Sequence, residues 1–226
     1  MAEPDKDFHI GHRQRLRDKF VNGDLADYEL VELLLCYAIP RCDVRKRAHQ
    51  LMEKYGGIYQ ILTAPLASLQ SQPGMGEHSA ILFKAAHQAM IRGYKYCLTN
   101  NSVYYDEKAL LNYCRLQVGG QPVEELHILY LNADSFLLED EKHSRGTTNE
   151  SAVYPREIVK RALELEARKI IMVHNHPTPQ KSFSGPDIDM TLQMQTILAN
   201  VGIDLLDHYV VSGGIVYSAR ETGFLK

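Results

Sequence analysis

Little in this sequence points away from a reduced, water-facing setting. It holds only four cysteines in 226 residues: Cys36, Cys42, Cys97 and Cys114. None forms a C-x-x-C pair and they are too sparse for a disulfide framework, so they read as reduced thiols of a cytoplasmic protein. Long hydrophobic runs are missing too. Stretches such as Leu33-Leu34-Leu35 fall far short of the roughly 20 residues needed to span a bilayer. The opening Met1-Ala2-Glu3-Pro4-Asp5-Lys6 lacks the basic-then-apolar pattern of a signal peptide. Neither sign of charge dominates. A net charge of −3 makes no global case for nucleic-acid binding, so such contact would need a local patch. No internal repeat or low-complexity tract interrupts the chain. What remains is an apolar fraction of 45%, ample for a core, in a length that suits one large domain or two small ones.

The first hundred residues read almost entirely as helices. Asp27 suits an N-cap for a helix over Tyr28 to Leu35, closed before Pro40. Val44 to Tyr55 reads as a second, ended at Gly56-Gly57, and Leu66 to Gln72 as a short one leading into Pro73-Gly74-Met75-Gly76. Ala80 to Tyr94 follows as a helix, and the polar Thr99-Asn100-Asn101-Ser102 marks a boundary. We therefore expect a helical domain over 1–98 and a second domain over 103–226. That second part mixes elements: a helix over Asp106 to Gln117, a strand over Leu126 to Leu131, and a hairpin partner from Phe136 towards Gly146. A helix over Pro155 to Ala167, a strand over Ile170 to Val173, a helix from Ser184 to Asn200 and closing strands over Asp204 to Ser212 and Ile215 to Ser218 complete an α/β sandwich.

The most informative stretch is His174-Asn175-His176-Pro177, followed after six residues by Ser184-Gly185-Pro186-Asp187. Strand side chains alternate faces, so two histidines two apart at a strand end project to one side. Pro177 stops the strand because it cannot donate to a ladder. Ser184 suits a helix N-cap, and Asp187 in the first turn can face back towards the strand end. Taken alone, Ser184 with Asp187 is a capping box worth about 1 kcal/mol, and a lone histidine near a strand end is usually a hydrogen-bonded residue. The ordered combination instead predicts His174, His176 and Asp187 around one ion. Three protein ligands with one position left for water is the arrangement of a catalytic zinc. The string His-Asn-His is no HNH nuclease motif, which spreads its three residues over a ββα unit.

At H-x-H-P-x6-S-x-x-D the sequence resembles the JAB/MPN metalloprotease domains and their JAMM motif. It is similar in particular to the bacterial RadC family, through Val153 to Leu163, the His174 block and Leu205-Leu206-Asp207-His208. Here Thr178-Pro179 follows His-Pro where RadC proteins usually have Ser-Gly, with the loop length kept. The resemblance implies a JAB/MPN, cytidine-deaminase-like α/β sandwich preceded by an all-α helix-hairpin-helix-like domain, with Pro73-Gly74-Met75-Gly76 as the hairpin. It implies zinc on His174, His176 and Asp187, and Ser184 as the donor to a reacting oxyanion. The catalytic glutamate falls at Glu124, with Glu125 as the alternative because neighbouring strand residues face opposite ways. The implied activity is hydrolysis of a peptide or isopeptide bond by zinc-activated water, and the implied partner a peptide or protein substrate. Asp207-His208 reads either as a pair beyond the ligands, its aspartate orienting a metal-bound imidazole, or as a buried bonded pair joining two strands.

A second function class stays open. A helix-hairpin-helix binds DNA through backbone amides and nearby basic side chains, which would suit a repair or recombination protein with a structural or nuclease-like metal site. Arg41, Arg45, Lys46 and Arg47 form one basic cluster and Arg13, Arg15, Arg17 and Lys19 another. Glu77-His78-Ser79 after the hairpin offers no lysine or arginine, and Glu77 would repel phosphate, so weak DNA contact is all that this half implies.

Overall fold

The computed structural model describes residues 6–40, 42–145, 155–178 and 182–225. Arg41, Gly146, Val153, Tyr154 and Pro179, all used in the sequence reading, lie outside them. The chain divides into two compact units, 1–88 and 89–226.

The first unit is helical: α1 (Lys6–Asn22), α2 (Asp27–Ala38), α3 (Arg45–Tyr55), α4 (Ile58–Thr63), α5 (Leu66–Gln70) and the start of α6 (Glu77–Asn100). Asp27 sits inside the first turn of α2 and not at its cap. The Ala26 N–H donates to Glu29 Oε2 at 3.1 Å, so a glutamate reaching back satisfies the helix entry that Asp27 was expected to close. Gly56 ends α3 in the left-handed region at φ 87°, and α4 follows at once, over residues to which the sequence pattern assigned no element. Val31, Leu35, Leu51, Ile61, Leu69 and Phe83 form the core of this unit. The hairpin between α5 and α6 turns at Gly74, at φ 73°; a Cβ there would lie 2.2 Å from Arg47 Nε, so only glycine admits both the turn and the guanidinium over it.

The second unit carries α7 (Glu107–Val118), β1 (Glu125–Leu131), β2 (Leu137–Arg145), α8 (Pro155–Glu164), β3 (Lys169–His176), α9 (Gly185–Ala199), β4 (Asp204–Ser212) and β5 (Ile215–Ser218). Its five strands run in the order β2-β1-β3-β4-β5, antiparallel except for the parallel pair β3–β4. One face of the sheet packs Leu126, Ile128, Tyr130, Ile170, Met172 and Leu205 against Ile158 and Ala162 of α8 and Met194 and Leu198 of α9. The other face takes α7, capped by Asp106, whose carboxylate accepts from the Ala109 N–H at 2.9 Å. With helices on both faces, β1 and β3 are buried almost throughout, which is why they read as unbroken apolar runs. The expected mixed α/β architecture with a helical N-terminal part is the one observed.

Candidate metal centre

β3 sends Ile170 and Met172 into the α8–α9 core, so the alternation of the strand carries His174 and His176 to the same side at its C-terminal end. Both are buried. Ser184 caps α9: its hydroxyl accepts from the Asp187 N–H at 3.3 Å, and the Asp187 carboxylate accepts from the Ser184 N–H at 2.7 Å. The capping box is therefore real, and it does more than end a helix. It holds Asp187 so that Oδ1 lies 3.2 Å from His174 Nε2 and Oδ2 lies 3.3 Å from His176 Nε2. The two Nε2 atoms are 3.0 Å apart.

These spacings test whether the donors suit a metal. A tetrahedral zinc with bonds of about 2.0–2.1 Å separates neighbouring ligands by roughly 3.3 Å. The three observed edges lie close to that, and the donor set of two imidazoles and a carboxylate is one zinc accepts. Burial pushes the Asp187 carboxyl up, but hydrogen bonds from His174, His176 and Ser184 outweigh it and hold the group well below the usual carboxylate range. His176 Nδ1, also buried, has no hydrogen-bond partner among the described residues.

Glu124 stands at the open side. Its side chain is 48% exposed and its Oε1 lies 3.5 Å from His176 Nε2. Glu124, His174 and His176 offer ligand atoms that all lie within 4.8 Å of one another. Glu125 turns the other way: it is buried, accepts from Lys142 Nζ at 2.6 Å and lies 3.8 Å from His127 Nε2. Of the two glutamates, only Glu124 reaches the cluster. Ser184 is also brought there, its hydroxyl donating to Asp187 Oδ2 at 2.6 Å.

One contributor is not signalled in the sequence, and the role of a second is left open there. Asn175, between the histidines, points to the opposite face. Its Oδ1 accepts from the Glu125 N–H at 2.8 Å and its Nδ2 donates to the Val123 carbonyl at 3.1 Å, gripping the chain on both sides of Glu124. The other is His208. Register along β3–β4 shifts between Ile170 and Ile171, so that Leu205 opposes Ile170 and Asp207 opposes Ile171. The irregularity leaves Leu206 unpaired and returns His208 to the face of Leu205. His208 Nε2 then lies 2.7 Å from His174 Nδ1, and its Nδ1 lies 2.6 Å from Thr191 Oγ1. Complete burial pushes the His208 imidazole well below its ordinary range.

Asp207 does not orient a ligand. On the opposite face it accepts from the backbone N–H of His208 at 2.7 Å and from Ser218 Oγ of β5 at 2.5 Å, so it ties β4 to β5. The two residues are not a bonded side-chain pair. In the first unit, Arg13 donates to the carbonyls of Cys36, Ile39 and Cys42, Arg45 pairs with Asp43, and Lys19 with Glu29. Part of each basic cluster is thus engaged within the unit itself.

A strand-end cluster of two imidazoles and a helix-capping aspartate, flanked by a glutamate, is the site of a metal-hydrolase fold of the JAB class. The chain belongs to the RadC-like JAB domain family, whose model matches residues 104–224. A UPF0758 protein of Ruegeria pomeroyi is 37% identical over 217 residues, 95% of this chain and 97% of the relative. One from Rhodobacter capsulatus is 38% identical over 213 residues, 93% of this chain and all of the relative, at 100%. A third, from Fusobacterium nucleatum, is 33% identical over 235 residues, covering 100% of both chains. That shared designation names no activity. No helix among the described residues is long and apolar enough to cross a membrane.

Proposed function

We propose that this protein is a zinc-dependent hydrolase of peptide or isopeptide bonds. The observation that carries the reading is the convergence of His174 Nε2, His176 Nε2 and the Asp187 carboxylate at separations of 3.0–3.3 Å, with Glu124 beside them. Bound there, zinc would supply a Lewis acid and lower the pKa of water to about 7. Glu124, exposed enough to meet solvent, takes a proton from the attacking water and returns it to the leaving nitrogen as the C–N bond breaks. Such proton transfer is worth roughly 10²–10⁴-fold. Ser184 turns its one hydroxyl proton from Asp187 Oδ2, 2.6 Å away, to the former carbonyl oxygen as negative charge grows on it.

The test is metal analysis of the purified protein, followed by assays on peptide, isopeptide-linked and duplex DNA substrates with and without chelator. Stoichiometric zinc and chelator-sensitive peptide or isopeptide cleavage, restored by added zinc, are expected. Cleavage of DNA in place of peptides, or peptide cleavage indifferent to chelator, overturns the proposal.

A further inference from the structure

Glu124 lies just outside the sheet that carries the cluster. β1 begins one residue later, and its ladders with β2 and β3 begin at Glu125 and Leu126. A carboxylate that moves protons at a fixed point needs a fixed Cα–Cβ direction, and the two backbone dihedrals at its Cα set that direction. β3 is better supported at this level. Its pairing with β1 ends at His174, but Asn175 stays in register with Val211 of β4 on the other edge. The main chain of Asn175 is therefore held where the ladder to β1 has run out.

The Asn175 side chain continues that ladder. It is 2% exposed, its Oδ1 accepts from the Glu125 N–H at 2.8 Å, and its Nδ2 donates to the carbonyls of Val123 at 3.1 Å and Gln121 at 3.4 Å. A backbone N–H only donates and a carbonyl only accepts, so the carboxamide has one orientation. The pattern is that of a parallel ladder. There, one residue donates to the carbonyl before its opposite number and accepts from the N–H after it. A single side-chain amide thus does for Glu124 what a residue of a neighbouring strand would do. Both φ and ψ of Glu124 lie between the two anchored groups, so the two bonds close a ring around them.

We propose that Asn175 is a positioning residue that fixes the backbone of Glu124 and so aims its carboxylate at the cluster, where Oε1 lies 3.5 Å from His176 Nε2. The inference rests on the reading of Glu124 as the proton carrier and adds what holds it in place. A side chain that is 48% exposed has little packing of its own to direct it, so its direction comes from the main chain. Removing the Asn175 amide opens the ring and frees rotation at Glu124.

The first test needs no variant. In metal-free full-length protein labelled with ¹³C and ¹⁵N, the Glu125 amide nitrogen and Asn175 Cγ should show scalar coupling across their hydrogen bond, and absence of that coupling overturns the proposal. Asn175→Ala should lower kcat on a peptide or isopeptide-linked substrate about 10- to 100-fold. KM, and zinc affinity by competition with a chromophoric chelator, should stay within about twofold of the wild type. Made in Glu124→Gln protein, the same change should cost less than about threefold more, because an absent carboxylate cannot be misplaced. An unchanged kcat in Asn175→Ala, full additivity of the two changes, or zinc affinity lost in step with turnover each overturns the proposal. Full turnover in Glu124→Gln alone sinks instead the reading of Glu124 on which the inference rests, and the coupling across the hydrogen bond would then still be seen.

Discussion

The two faces of one sheet each bury a histidine cluster, and they are built on opposite principles. On the α7 face, His127 Nδ1 lies 2.8 Å from Asp140 Oδ1, and Asp140 Oδ2 accepts from the Tyr113 hydroxyl at 2.5 Å. Glu125, 3.8 Å from the other nitrogen of His127, is itself held by Lys142. Donors and acceptors alternate, so that network is closed. Burial and the Asp140 carboxylate push the Tyr113 hydroxyl up, which keeps it a donor at any ordinary pH. On the α8–α9 face, His174 Nε2, His176 Nε2 and both Asp187 oxygens converge on one another. There two imidazoles share one carboxylate and His176 Nδ1 is left without a partner among the described residues, so that network stays open. Burial alone does not mark a candidate metal ligand; ligand atoms converging on one point do.

The comparison breaks most sharply at the ligands. Replacing His174, His176 or Asp187 individually with alanine should reduce bound zinc from one equivalent to a trace by metal analysis, whereas His127→Ala should leave it intact. Equal zinc loss in all four variants would erase the distinction between the faces. The glutamates sharpen it next. Glu124→Gln should keep its zinc yet lower turnover by roughly 10²–10⁴-fold, and Glu125→Gln should leave most turnover in place; the reverse result would exchange their roles.

Smaller effects belong to stability. His127→Ala leaves Asp140 Oδ1 without its imidazole partner and should cost about 1–3 kcal/mol in denaturant unfolding. The least effect is one of pH. Burial pushes the His143 imidazole below its ordinary value of 6.5, and its Nε2 lies 2.6 Å from the Tyr130 hydroxyl. As pH falls through about 6.5 the unfolded chain takes up a proton that the folded state refuses, so stability present above that value is lost below it. Melting temperatures of metal-free protein should fall between pH 7.5 and 5.5, about, and His143→Gln should flatten that slope.

Much of this was legible in the chain because it depends on short-range rules. Alternation put His174 and His176 together, and Ser184 with Asp187 announced a capped helix whose first turn could face the strand end. Local signals were weaker where a helix ended in polar residues: α6 runs through Thr99 and Asn100, which composition alone marks as a break. What stayed hidden needed pairing. Asp207 and His208 look equivalent in sequence, and strict alternation from Leu205 would put Asp207, not His208, on its face. The unpaired Leu206 reverses that, and no residue type there signals it. Asn175 was passed over for the opposite reason: its partners, Glu125 and Val123, lie some fifty positions away.

That asparagine gives the strand end a double duty. Its neighbours reach one way towards the cluster while its amide reaches the other way to brace the peptide units flanking Glu124. Any shift of β3 along its axis would therefore drag the glutamate with the imidazoles, so the two halves of the candidate site keep step although they are gripped from opposite faces of the strand.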